Sequence, residues 1–246
     1  MKFRYCFRQG ENMEFGTKLQ RGRIVDFYKR LILDVELDDG SVVPVFCPEG
    51  DGGKSLYAEG AEVFVARNRD VRRKLRYECQ LLNRGEGLIM VNPHYNTDLF
   101  LEAYDAEILQ DFKNYTVIRK LSEEDGLRHI HFELGDNDGH KLYLTLSSIY
   151  NKQGPYVVFP TFLNFFDIET MEEMRRLRAR GHRTAFVLIA PRMDCTEAKF
   201  VWNINPIAAA KVFEEAKSGL EFFCYGCKID KKSVTIANKM KINYQS

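Results

Sequence analysis

The chain has 246 residues, 45% hydrophobic and 29% charged, and its 36 Lys+Arg nearly cancel 35 Asp+Glu to leave a formal net charge of +1. The length suits two small domains or one large one. The composition excludes disorder, and apolar residues are plentiful enough for a core without a disulfide scaffold. The near-zero balance excludes a protein that coats nucleic acid through bulk positive charge, so any such contact must come from a local patch.

Residues 1–13 read as an N-terminal extension, with Met13 as a second plausible start. Residues 1–15 carry Lys2, Arg4, Arg8, Glu11 and Glu14 without an apolar stretch, unlike a signal peptide. Short strands with turn punctuation follow over 14–83. The stretch around Leu19–Tyr28 is the first, and Leu31–Leu37 runs into Asp38-Asp39-Gly40, a hairpin turn signal. Val42–Cys47, Ala61–Ala66 and Tyr77–Leu82 complete about five strands. That count fits a small OB-like β-barrel, and an SH3-like barrel would read much the same.

The pattern changes near Gly85-Glu86-Gly87, so 84–246 is expected to be a second, α/β domain with a mixed sheet. Asn96 or Thr97 can cap a helix running to about Lys113. Strands are expected at 115–121, 128–134 and 141–149. Asp167 looks like the cap of a helix that Gly181 stops, and Thr184–Ala190 is a buried strand. Asn205-Pro206 opens a helix closed by Gly219, and Leu220–Ile229 is the next strand. No apolar run approaches the roughly 20 residues of a spanning helix. Six scattered cysteines suit reduced thiols, and the expected address is cytoplasmic, with no membrane partner.

Several motifs invite a function. Gly50-Asp51-Gly52-Gly53-Lys54-Ser55 resembles the end of a phosphate loop, but Pro48 stands where its first glycine belongs, so a surface loop is expected. Cys224 and Cys227 form a lone CxxC inside a strand, where residues three apart face opposite ways; structural cysteines are expected. His129, His131 and Glu133 alternate on a predicted strand and would share a face, a candidate ligand set for a transition metal. Arg67, Arg69, Arg72, Arg73, Lys74 and Arg76 place six cations in ten residues against one acid, Asp70. With Lys29 and Arg30 they are the candidate phosphate contacts, and Tyr28 and Tyr77 lie nearby for base stacking. Such a run can equally be a solvated face. Arg175, Arg176, Arg178, Arg180 and Arg183 form a second, weaker cluster.

From about Glu14 to Ile242 the chain resembles the sugar fermentation stimulation protein family, SfsA. The resemblance is carried by Tyr28-Lys29-Arg30-Leu31 with Asp34-Val35, Cys47-Pro48, Arg72-Arg73-Lys74, Val91-Asn92, Phe159-Pro160 and the unit from Asn205 to Lys228. It implies an OB-like nucleic-acid-binding domain, a C-terminal domain similar to PD-(D/E)xK nucleases, and a link to DNA binding and sugar utilisation. In such a nuclease an Asp and a Glu-x-Lys on the next strand hold Mg²⁺ and activate water.

This sequence departs from that pattern. The strand Asp falls at His131, the Glu-x-Lys at Thr145-Leu146-Ser147, and a later acid at Thr161. An upstream helix acid would be Glu107. The family's Cys-Pro-Asn-Thr-Gly is Cys47-Pro48-Glu49-Gly50-Asp51 here. The expectation is a pseudo-nuclease without cofactor that binds nucleic acid, DNA first. A metal-dependent hydrolase rewired onto His129, His131 and Glu133 is one alternative. Another is a scaffold, with a protein partner or self-association through Phe162, Leu163, Phe165 and Phe166.

Overall fold

The computed structural model describes residues 13–49, 56–68, 72–161 and 165–244. The Gly50–Ser55 loop, Arg69, Asp70, residues 1–12, Phe162 and Leu163 lie outside the described residues. No described helix is long and apolar enough to cross a membrane.

After a two-residue strand β1 (Met13–Glu14), five strands close a barrel: β2 (Gln20–Tyr28), β3 (Ile32–Leu37), β4 (Val42–Phe46), β5 (Glu62–Arg67) and β6 (Tyr77–Asn83). β3 pairs with β2 and β4, β5 pairs with β2 and β6, all antiparallel. A parallel pairing of Val45 with Tyr77 and Phe46 with Glu78 closes the cylinder. This 1-2-3-5-4-1 order is that of an OB barrel. Alternation drives it: Leu33, Val35, Val45, Val63 and Val65 are fully buried inside, while Arg21, Arg23 and Glu36 face out. Gly22 permits the tightest approach, since a Cβ there would meet the Glu36 carbonyl at 2.7 Å. The expected turn after β3 also forms, with Gly40 at φ 82° and Asp39 accepting the Ser41 N–H at 2.9 Å.

Strand β7 (Leu88–Met90) adds to β6 and leads into the second unit. There follow α1 (Asn96–Asp105), β8 (Val117–Lys120), β9 (Phe132–Gly135), β10 (Lys141–Ser148), β11 (Lys152–Gln153), β12 (Tyr156–Phe159), α2 (Phe165–Ala179) and β13 (Arg183–Ala190). Then come β14 (Glu197–Phe200), α3 (Pro206–Lys217), β15 (Leu220–Ile229), β16 (Ser233–Met240) and β17 (Ile242–Asn243). The main sheet runs β1-β16-β15-β13-β10-β9-β8. It is mixed: β8, β9 and β10 form an antiparallel meander, and β10, β13 and β15 run parallel. Helix, meander, helix and parallel strand in that order make the nuclease-like core.

Three expected boundaries move. The helix expected to reach Lys113 stops at Asp105, and Glu107 follows it at φ 57°. The strand expected from 128 starts at Phe132, which puts His129 in a turn. Asp167 lies in the first turn of α2, not at its cap. Asn205 does cap α3, accepting from the Ala208 N–H at 3.1 Å. A second small sheet, β11-β12-β14-β17, had no counterpart among the expected elements.

Strand β7, which pairs with β6 of the barrel, is stitched to the segment after β13. Met90 N–H donates to the Pro191 carbonyl at 2.9 Å and Met193 N–H to that of Leu88 at 3.2 Å. Between them the buried Arg192 guanidinium grips Asp194 through Nε at 2.6 Å and Nη2 at 2.8 Å, and donates to the Tyr150 carbonyl. Burial alone would raise the Asp194 carboxyl, but Arg192 and then Lys152 outweigh it and hold it at about 2. Removing one partner of such a pair leaves a buried charge uncompensated. Arg192→Met should therefore lower unfolding free energy by about 3–5 kcal/mol in urea titrations. The double variant with Asp194→Leu should lose less than the two single variants added together; additive losses would mean the pair is not coupled.

Candidate functional site

A cleft of about 450 Å³ lies where β10 ends against α1, α2 and the loop after β4. Three of the four positions expected to correspond to a nuclease centre, His131, Ser147 and Thr161, line it, and Thr145 sits directly behind. Register explains the convergence. His131 directly precedes β9, and its N–H donates to the Leu144 carbonyl of β10 at 2.9 Å, which places its ring beside Thr145. The alternate residues Phe132, Leu134, Leu142 and Leu144 point into the core on the other face of the sheet.

The centre is a neutral hydrogen-bonded set. The Thr145 hydroxyl is 2.7 Å from His131 Nδ1 and 2.8 Å from the His129 carbonyl, and the Leu146 N–H donates to the same Nδ1 at 3.1 Å. The Leu146 N–H can bond to Nδ1 only where that nitrogen holds a lone pair, the tautomer that carries its ring proton on Nε2. Burial pushes the His131 pKa down to about 4, helped by the charges of Lys120 and His129. Asn151 donates to Thr161 Oγ1 at 2.9 Å, and Asn96 and Ser148 bond reciprocally at 2.9 and 3.0 Å.

These donors do not fit a hard dication. Mg²⁺ and Ca²⁺ want charged or carbonyl oxygens, whereas the aligned positions offer an imidazole donor and hydroxyls engaged with their neighbours. Glu107, the expected helix acid, is exposed beyond the end of α1 and does not line the cleft. The His129, His131 and Glu133 set is not assembled either. His129 pairs with Glu169 at 3.2 Å, and Glu133 is held by Arg119 and Lys141, each at 3.1 Å. Among the described residues, one group of three potential ligands is close enough to share an ion: Asp136, Asp138 and His140, in the exposed β9–β10 hairpin. There Asp136 accepts from the Asp138 and His140 N–H groups, an ordinary turn.

The barrel cations gather on one rim. Lys29 and Arg30 form the β2–β3 turn, both at positive φ (51° and 62°) and both exposed. Arg67, Arg72, Arg73, Lys74 and Arg76 belong to the β5–β6 connection, with Arg67, Arg72, Arg73 and Lys74 exposed. β4 joins the two loops, because Phe46 pairs with Ile32 on one side and Glu78 on the other. Arg73 has a long 3.9 Å ion pair with Glu78. Tyr28 donates to Asp34 at 3.1 Å and is half-buried, as is Tyr77.

The second arginine cluster serves the fold. Arg175 and Arg178 converge on Glu215, which is completely buried; Arg176 pairs with Glu173, and Arg183 grips Glu221. Cys224 and Cys227 fall in different cores on opposite faces of the main sheet. Glu49, Asn96, Ser148, Tyr150, Asn151 and Asp167 also line the cleft. Only the altered Cys47–Asp51 segment hinted at any of them.

A family model described as the "Sugar fermentation stimulation protein RE domain" matches residues 94–233, more than half of the chain. The chain belongs to the sugar fermentation stimulation protein family. A homologue from Maricaulis maris is 27% identical over 94% of this chain and 98% of its own length. Another, from Caulobacter vibrioides, is 26% identical over 90% and 93%. In structure the chain is similar to SfsA of Pyrococcus furiosus, solved in complex with Ca²⁺, with a TM-score of 0.77 over 94% of this chain and 97% of that one. At 13% identity that likeness concerns the fold alone.

A histidine kept neutral by burial links stability to pH. The unfolded chain takes up this proton near pH 6.5, the folded chain only near 4. Stability should fall as pH drops through that window, by about 3 kcal/mol in all, and level off below it. His131→Gln should remove that part of the slope in denaturation curves taken from pH 7 to 4.

Proposed function

We propose that the chain acts as two units, a nucleic-acid-binding barrel over 14–83 and a nuclease-like domain over 84–246 without nuclease chemistry, working in the cytoplasm on DNA. The observation that carries this reading is the single cationic rim formed by Lys29, Arg30, Arg67, Arg72, Arg73, Lys74 and Arg76. The sequence adds Arg69 to this group. In OB barrels the loops after the first and fourth barrel strands are usual nucleic-acid contacts, and here those are the cationic β2–β3 and β5–β6 loops. The exposed 3.9 Å pair of Arg73 with Glu78 is weak enough to yield to a phosphate. Any link to sugar utilisation is, on this reading, exerted by occupying DNA and not by cutting it.

Affinity for duplex DNA, followed by anisotropy, should fall steeply with salt. Arg72→Ala with Arg73→Ala should weaken binding on every sequence and reduce the salt slope by about 2. Salt-independent binding, or an unchanged slope in the double variant, would overturn the assignment. Plasmid and single-stranded substrates incubated with Mg²⁺, Mn²⁺, Ca²⁺ or Zn²⁺ should stay intact. Cleavage that disappears in His131→Ala would establish a hydrolase instead.

A further inference from the structure

The cleft has the volume of a ligand site. Its 450 Å³ suits a nucleoside-sized molecule. Phe159, Phe186 and Phe222 form an aromatic wall, with ring centroids 5.7 Å apart for Phe186–Phe222 and 6.1 Å for Phe159–Phe222. The Asn96 and Asn151 amides line it as well. Each spends one N–H on the bonds described above and retains a second, and the Asn96 carbonyl, which also accepts from Ser148, keeps one lone pair.

Charge narrows the class of ligand. Neither Lys nor Arg lines the cleft among the described residues, while Glu49 and Asp167 do. A phosphate entering it would lose its hydration and find no cation. A planar, uncharged molecule with mixed donors and acceptors meets aromatic faces and neutral amides instead.

Position supplies the last step. Glu49 is three residues past Phe46, the residue that joins the two cationic loops. Three residues of chain span at most about 10 Å, so this lining residue lies close to the strand that joins the two basic loops. We propose that this cleft binds one uncharged nucleobase, presented by a free nucleoside or by a base unstacked from a strand on the barrel. Only the strand source rests on the barrel reading.

The test is a calorimetric titration of the intact chain, in EDTA, with the four deoxynucleosides and their 5′-monophosphates. At least one nucleoside should bind in the micromolar-to-millimolar range, and its monophosphate several-fold more weakly. Ser147→Phe, which projects a ring into the cleft, should weaken binding at least tenfold. Asn151→Ala serves the same purpose if that variant does not fold. Single-stranded DNA carrying 2-aminopurine separates the sources. An emission change that Ser147→Phe abolishes identifies an unstacked base, and nucleoside binding without that change identifies a free nucleoside; either supports the site. No nucleoside binding at millimolar concentration, monophosphates binding more tightly, or affinity unaltered in both variants would overturn it. The nucleoside titration contains no DNA, so its failure and a failure of the barrel to bind DNA are told apart.

Discussion

The buried pair of Arg192 and Asp194 is the constraint on which the site depends. Its guanidinium ties the segment after β13 to the Tyr150 carbonyl just past β10, and Asp194 receives Lys152, which also reaches Glu86 in the turn before β7. Three chain segments, at Glu86, Tyr150–Lys152 and Arg192–Asp194, thus meet at one ion pair. Each partner is nearly inaccessible, at 6% and 4% side-chain exposure. An apolar contact at this place would hold the units together without fixing their angle. A bidentate pair with fixed geometry sets where Tyr150 and Asn151 stand, and so sets one wall of the cleft.

The same sheet explains how chemistry could drift while the fold persisted. Along β9 and β10 the residues alternate between a core face and the cleft face. Phe132, Leu134, Leu142 and Leu144 make the core with Phe100 and Phe112 of the first helical layer. His131 and Thr145 belong to the other face, where exchanging a carboxylate for a neutral hydrogen-bonded group leaves that core untouched. Such an exchange also removes the repulsion that adjacent carboxylates create without a metal. The Thr145, His131 and Leu146 network supplies the bonds the new residues need.

The barrel was largely legible in the sequence because each of its signals is local. Alternation marks the strands, Asp39-Gly40 marks a turn, and a run of arginines marks the β5–β6 connection. The small sheet was not legible: Tyr156–Phe159 and Glu197–Phe200 are four-residue strands whose pairing partners lie about 40 residues apart. The helix expected to continue to Lys113 shows the limit of periodicity. Leu109 and Phe112 are buried as the pattern requires, but through a 3-10 turn after the chain reverses at Glu107. His129 kept company with His131 in the sequence only because a strand was assumed to start four residues early. Glu215 is the opposite case. It reads as one more solvated acid on a helix, yet it is the buried anchor that absorbs Arg175 and Arg178.

That absorption bears on the net charge of +1. Of the two arginine clusters, the one on α2 is largely neutralised by Glu215, Glu173 and, through Arg183, Glu221. Those acids lie close enough to cancel the field locally, well inside a Debye length of about 10 Å. The rim cations come from two neighbouring loops whose sequence is dominated by positive charge, with Arg73 in a long 3.9 Å contact to Glu78. A chain that is neutral overall therefore carries a directional field. It is positive at the barrel rim and, one short loop away at Glu49, without cations inside the cleft. A polyanion meeting that surface is drawn to the rim by its phosphates and turned away from the cleft by the same charges. The cleft is thereby left to whatever part of the molecule carries none.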